Sequence, residues 1–285
     1  MSLIDGHKME DRIDMKKFAL NCLTVFLAVV LITSCAKSSD NPKDPKQILE
    51  KTVEKYRELV KKDGKGVKSM EAKVSIKGGG QLPMGDSGSM PLDIDAIVEI
   101  YVSQPHNLYI DISGNLGNAR FIVSGKEKPT ATIMLPGTKQ FATMDVPDQI
   151  KKQIDKAQEP EEADSQEPDS MEELWKQVIL EYDGTENLKI GKAHKIIIKP
   201  KDPAEKSFLT AYILDGKWDP ARLEITEEGG SNLLVEFEKL ELNAKIPDEK
   251  FVPDTEGYTE VTQQAITASI MMQIMSSMMQ KSTEE

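Results

Sequence analysis

From Ser69 onward, apolar residues recur at every second position. Met70, Ala72, Val74 and Ile76 alternate with polar neighbours, and Leu92, Ile94, Ala96, Val98, Ile100 and Val102 do so over a longer stretch. Further strands are predicted at 108–113, 119–124, 130–135 and 139–146, separated by Gly-Asn, Gly-Lys and Pro-Gly turn signals. The pattern resumes at 188–190, 195–199, 210–214, 221–226 and 232–242. Short connections with clean alternation imply an antiparallel sheet with one covered and one wet face. Gly78-Gly79-Gly80 reads as a flexible hairpin loop.

Three segments carry a helical period instead. Asp44-Pro45 reads as an N-cap followed by proline at the first helical position, after which Ile48, Leu49, Val53, Tyr56, Leu59 and Val60 line one face until Gly64 and Gly66. Pro147 to Ala157 predicts a second helix, and Ser170 to Leu180 a third with Ser170 and Glu173 spaced as a capping box. Residues 158–169 between them are acidic with Pro and Ser, the composition of a mobile loop. The fold class is therefore α+β and mainly β, with about eleven strands in one sheet. Past it, Gln263 to Gln280 carries no charge and holds Ile266, Ile270, Met271, Met272, Ile274, Met275, Met278 and Met279 on a broad helical stripe that calls for burial.

Residues Phe18 to Ile32 form an apolar run preceded by Lys16-Lys17, too short for a comfortable membrane span and laid out like a secretory signal. Its ending, Ile32-Thr33-Ser34-Cys35, resembles the lipobox of bacterial lipoproteins, which implies a signal peptide over 1–34 and an acyl anchor on Cys35. Met1 to Asp14 is acidic for a signal start, so Met15 is read as the true start and the residues before it as an upstream extension. Residues 35–43 form a polar tether, 44–261 the folded domain and 262–285 a Met-rich helix or tail. Four basic and four acidic residues cancel in the first 34, so the rest keeps the net charge of -12, a surface that repels nucleic acid. Cys22 falls in the signal, leaving no thiol pair to oxidise after cleavage. The expected location is the cell envelope, extracytoplasmic and lipid-anchored; Ala36 after the cysteine resembles outer-membrane lipoproteins facing the periplasm of Gram-negative cells.

Candidate chemistry is sparse. His7, His106 and His194 lack the spacing that puts two ligands on a helix face, and no nucleophile elbow, P-loop or dinucleotide fingerprint occurs. The Asp and Glu residues fall on alternating strand positions and in the acidic loop, as solvated surface, and Trp175 and Trp218 sit among apolar residues as core anchors. The expectation is a protein without catalytic activity, metal or cofactor.

Several stretches and their order resemble the LolA/LolB lipoprotein-carrier superfamily, with its LppX/LprG-type lipid-binding and RseB-like sensor members. These are Ser103-Gln104-Pro105-His106-Asn107-Leu108-Tyr109, Ile196 to Pro200 with Lys201-Asp202, and Ile246-Pro247-Asp248-Glu249-Lys250-Phe251, spread over roughly 44–261. The resemblance implies a strongly curved, incomplete barrel with helices over a concave apolar side that holds acyl chains. Its candidate lining is Leu108, Ile110, Ile112, Phe121, Val123, Ile133, Leu135, Phe141 and Met144. The implied partners are a lipid or an acylated protein, and the membrane through the anchor, in lipid or lipoprotein transport or sorting. The alternative is a sensory or protein-interaction lipoprotein of the same fold, with a protein partner at the acidic loop or the Met-rich tail. The tail is read as a displaceable lid at the barrel opening.

Overall fold

The computed structural model describes residues 43–60, 68–83, 89–104, 107–125, 128–146, 175–227 and 232–281. The signal segment, Cys35 and its tether, His106, the predicted helix 147–157, the acidic loop and the Ser170 capping box lie outside the described residues.

Helix α1 (Pro45–Val60) starts where the N-cap signal places it. The Asp44 side chain accepts the Lys46 N–H at 3.0 Å, and its carbonyl accepts the Ile48 N–H at 3.1 Å. Ile48, Leu49, Thr52 and Val53 form its buried face.

Twelve strands follow: β1 (Ser69–Pro83), β2 (Ser89–Ser103), β3 (Asn107–Gly114), β4 (Gly117–Ser124), β5 (Thr130–Leu135), β6 (Gln140–Asp145), β7 (Val178–Leu188), β8 (Gly191–Pro200), β9 (Phe208–Leu214), β10 (Pro220–Thr226), β11 (Asn232–Leu242) and β12 (Thr259–Glu260). They make one sheet in the order β12-β6-β5-β4-β3-β2-β1-β11-β10-β9-β8-β7. β1 to β6 meander one way, β7 to β11 meander back to pair β11 with β1, and the end strands do not meet, so the barrel stays incomplete. Every pairing is antiparallel except that of β12 with β6.

Register sorts the side chains into two unlike faces. The row Leu240–Ala72–Ile100–Ile110–Phe121–Ile133–Ala142 runs apolar across seven strands. The next row, Lys239–Lys73–Glu99–Asp111–Arg120–Met134–Phe141, lies on the opposite face and is charged for its first five members. Lys239 pairs with Glu71 at 2.7 Å, Lys73 with Glu99 at 3.9 Å and Arg120 with Asp111 at 2.9 Å. Half-exposed pairs of this kind contribute about 0–1 kcal/mol each, so they keep the face wet more than they hold the sheet together.

Helices cover the apolar face at its two ends. α1 packs on β7 and β9, where Ile48 and Leu49 meet Ile196 and Ile213, with Trp175 and Trp218 at the margin as the expected anchors. The uncharged tail is helix α2 (Gln263–Lys281), which packs on β4, β5 and β6 by setting Ile266 and Ile270 on Ile133, Leu135 and Ala142. On the charged face, residues 243–258 form a strap anchored by Ser69 Oγ donating to the Ala244 carbonyl at 2.6 Å. A 3-10 turn (Asp248–Phe251) in the strap buries Phe251 against Tyr109, Ile122 and Met134. The strap becomes β12 at the β6 edge, and the chain there crosses to the apolar face as α2.

Three sequence expectations change. The glycine triplet is inside β1, not in a loop: Gly78, Gly79 and Gly80 pair with Ile94, Asp93 and Leu92. A Cβ on Gly78 would lie 2.6 Å from the Asn232 carbonyl oxygen, so glycine here lets β11 approach. The predicted third helix ends by Gln177, and Val178–Leu180 open β7, because Leu180 and Tyr182 gain partners in Ile198 and Ile196. Of the strand expected at 188–190 only Leu188 is strand, as the end of β7, and Lys189 and Ile190 form the turn to β8. The sheet of about eleven strands is borne out, the twelfth being β12, which is too short to show a period.

Candidate functional site

Eight of the nine predicted lining residues share the apolar face. Leu108, Ile110 and Ile112 on β3 oppose Val123, Phe121 and Ala119 on β4; Ile133 and Leu135 follow on β5 and Met144 on β6. Phe141 is the exception: it pairs with Met134 and packs with Tyr109 and Phe251 under the strap. Phe141 and Met144 are three apart, and along a strand of period two they face opposite ways, so their spacing alone carried this signal.

The eight residues do not behave alike. Val123 and Leu135 are buried, Val123 with Ala131 and Val146, and Leu135 under Ile266 of α2. Leu108, Ile110, Phe121, Ile133 and Met144 are half-buried, and Ile112 is 40% exposed. The exposed end of β3 continues into half-buried Val98, Ala96 and Ile76 on β2 and β1. Among the described residues the two helices leave this middle strip of the face without a helix on it. Beside it on the same face Ala72, Val74, Leu223 and Val235 are buried as a core cluster against which Ile76 and Ile100 pack, and the side chains left half-buried or exposed offer dispersion contacts and exclusion of water, and no hydrogen bonds. A recess of about 160 Å³ lies elsewhere, lined by Ile190, Leu214, Phe237 and Leu240 together with Lys217, Asp219, Glu238 and Lys239. That volume is below the roughly 300 Å³ at which small-molecule sites begin.

Sequence reasoning missed one polar cluster. His194, expected to stand alone, is 3% exposed on β8, with Nδ1 3.2 Å from the Tyr182 hydroxyl and Nε2 3.2 Å from Asp215 Oδ1. Its ring stacks on Trp218 at 5.9 Å and 4°. Trp218 adopts a left-handed φ of 59°, uncommon for a bulky residue, at the β9–β10 turn. Lys51 of α1 sits over the Trp218 ring at 4.8 Å and Lys55 pairs with Asp219. The cluster fastens α1 to that turn, with both ring nitrogens of His194 engaged.

On the charged face the Lys250 ammonium lies 4.2 Å from the Tyr101 ring centre and 4.3 Å from that of Tyr109, whose rings meet edge to face. Burial, and then the Asp111 carboxylate beside it, push the Tyr109 hydroxyl up to about 12. Tyr109 should therefore stay protonated in the folded chain where the unfolded chain has already lost that proton. Its contribution is complete below pH ~10 and is lost as pH rises toward ~12, with a limiting slope of about 1.4 kcal/mol per pH unit. Denaturant titrations at pH 9 to 12 should show this loss in the wild-type chain and a shallower one in Tyr109→Phe; superimposable profiles would refute the assignment.

These features define an open, mainly β sheet with one apolar and one charged face. Residues 86–165 match a family profile described as "Predicted periplasmic protein (DUF2092)". Among curated proteins none matches significantly. The chain is similar to an uncharacterized conserved protein from Thermus thermophilus at 14% identity and a TM-score of 0.40, over 76% of this chain and 98% of that one. It is similar to MucB, solved in complex with MucA(peri), at 13% identity and a TM-score of 0.37, over 75% of this chain and 61% of that one. A putative outer membrane lipoprotein-sorting protein domain from Vibrio parahaemolyticus follows at 7% identity and 0.27, over 74% and 97%. Identities this low with TM-scores under 0.5 establish neither family nor function.

Proposed function

We propose that this chain is an extracytoplasmic protein of the cell envelope, anchored by an acyl group on Cys35, that binds the acyl chains of a lipid or lipoprotein on its apolar face. In this reading it is a binder without catalytic activity, serving lipid or lipoprotein transport or sorting. The observation that carries it is the contrast between faces: on β2 to β4 one face presents Val98, Ile110, Ile112 and Phe121, half-buried or exposed, while the row Lys73–Glu99–Asp111–Arg120 on the other presents paired charges. An acyl chain of about 16 carbons laid on such a strip gains on the order of 10 kcal/mol before ordering costs. The description of the matched family as periplasmic agrees with the export signal.

Mass spectrometry of organic extracts from natively purified protein tests the reading. A stoichiometric acyl lipid is expected; a lipid-free protein that co-purifies with a protein partner would favour the sensory role instead. The anchor has its own test. Cys35→Ala is expected to abolish labelling by a palmitate analogue, since acylation needs the thiol, and equal labelling of the variant would remove Cys35 from the proposal.

A further inference from the structure

Helix α2 is apolar on two sides, and only one of them meets the sheet. Ile266 and Ser269 are buried, and Ile270, Gln273, Ile274 and Ser277 are half-buried. The roll of the helix is fixed: Ser269 Oγ donates to Gln140 Oε1 at 2.9 Å, and Gln273 lies so close to the β3–β4 turn that a Cβ on Gly117 would meet its Oε1 at 2.8 Å. The outer side therefore cannot turn inward. It exposes Ala265, Ala268, Met271, Met272 and Met275, with Met271 58%, Met272 62% and Met275 47% exposed.

Four of these residues, Ala265, Ala268, Met272 and Met275, are spaced three, four and three apart, the interval of a helix-packing seam. Size runs along it in one direction, small at the start of the helix and bulky further on. A two-fold axis beside Ile270 brings the ends together in the complementary sense, small against large, because in such a contact residue i meets j and j meets i. Charge agrees with a second copy as the occupant. The chain carries a net charge of -12, yet no ionisable side chain occurs from Gln263 to Gln280, so two copies meet there without like charges opposed. A lipid surface fits less well, since interfacial helices carry basic residues on their polar side.

We propose that two copies of this chain pair through the outer side of α2 as an antiparallel seam, with Ala265 of one copy against Met275 of the other and Ala268 against Met272. A helix of 19 residues is about 28 Å long and supplies far fewer than the ~20 residues per side of a standard interface. The pair is therefore weak in solution and strengthened where the chains are concentrated.

Disulfide trapping in the full-length chain in detergent tests this. A chain carrying Ala265→Cys is mixed with a size-tagged chain carrying Met275→Cys, the wild-type chain with Cys22 and Cys35 giving the baseline. The expected result is a mixed dimer several-fold above baseline, with neither variant cross-linking to itself, because like positions lie ~15 Å apart along the axis and a disulfide needs Cβ atoms ~4 Å apart. Both sites are exposed, so folding is preserved; circular dichroism confirms it. Self-linking of Ala265→Cys, or no product above baseline, overturns the pairing. So does loss of binding to neutral phosphatidylcholine vesicles in Met272→Glu, which would give the surface to a membrane.

Discussion

Replacing Ile196 by aspartate is expected to leave the chain without a cooperative thermal transition at room temperature and above. Ile196 is fully buried, centred on Ile48, Leu49 and Ile213, and its β-sheet neighbours are Tyr182 and Ala211. Removing a side chain of that size costs about 2–5 kcal/mol, and an unpaired carboxylate in the same place adds several more. The total is comparable to the ~5–15 kcal/mol by which folded domains are stable. Near-ultraviolet dichroism reports it directly, since Trp175 and Trp218 border the cluster. Ile196→Val should cost only about 1 kcal/mol and shift the transition by a few degrees. An aspartate variant that melts within a few degrees of wild type would show that α1 does not bury this position.

The second large effect concerns acyl binding and rests on the proposed function. Ile110→Asp places a charge in the middle of the apolar face, whereas Ile97→Asp places one on the opposite face, where Ile97 is 37% exposed. A carboxylate facing an acyl chain costs several kcal/mol, and each 1.4 kcal/mol is tenfold in affinity. Bound lipid should therefore fall at least tenfold in Ile110→Asp and stay at the wild-type level in Ile97→Asp. Equal loss in both would trace the effect to folding, and full retention in Ile110→Asp would take the ligand off this face.

The alternation predicts the bounds of Thr130–Leu135 and Asn232–Leu242 outright: in Asn232–Leu242 one face turns to the core and the other carries charges, so burial enforces period two, whereas Thr130–Leu135 is buried on both faces, under α2 and under the strap. Helix α1 was equally legible, because cap and stripe agree. What stayed hidden was decided by partners distant in sequence. Val178–Leu180 fits either period until Pro200, Lys199 and Ile198 arrive beside it, and the glycine triplet is strand because β11 needs the space at Gly78. The His194 cluster joins Tyr182 and Asp215 from different strands and turns, with no motif to mark it. Most of the candidate face was readable because cross-strand register carries alternation from β3 to β6; Phe141 broke it by parity. The stripe on the tail did predict a helix, but burial takes only the side holding Ile266 and Ile270.

The junction between β12 and α2 bears on how anything could pass beneath that helix. Val261 donates its N–H to the Phe141 carbonyl at 2.8 Å, and the Thr262 carbonyl already accepts the Ile266 N–H at 3.0 Å while Thr262 Oγ1 accepts that of Ala265 at 3.2 Å. No spare residue separates the last bond to the sheet edge from the first turn of the helix. A rigid swing that carried the Thr262 cap with the helix would pull directly on the Val261 bond to the sheet edge, so α2 lacks the slack a hinged door requires. Release must instead begin at the Lys281 end and travel back turn by turn toward Ile266, and amide exchange should quicken in that order along the helix.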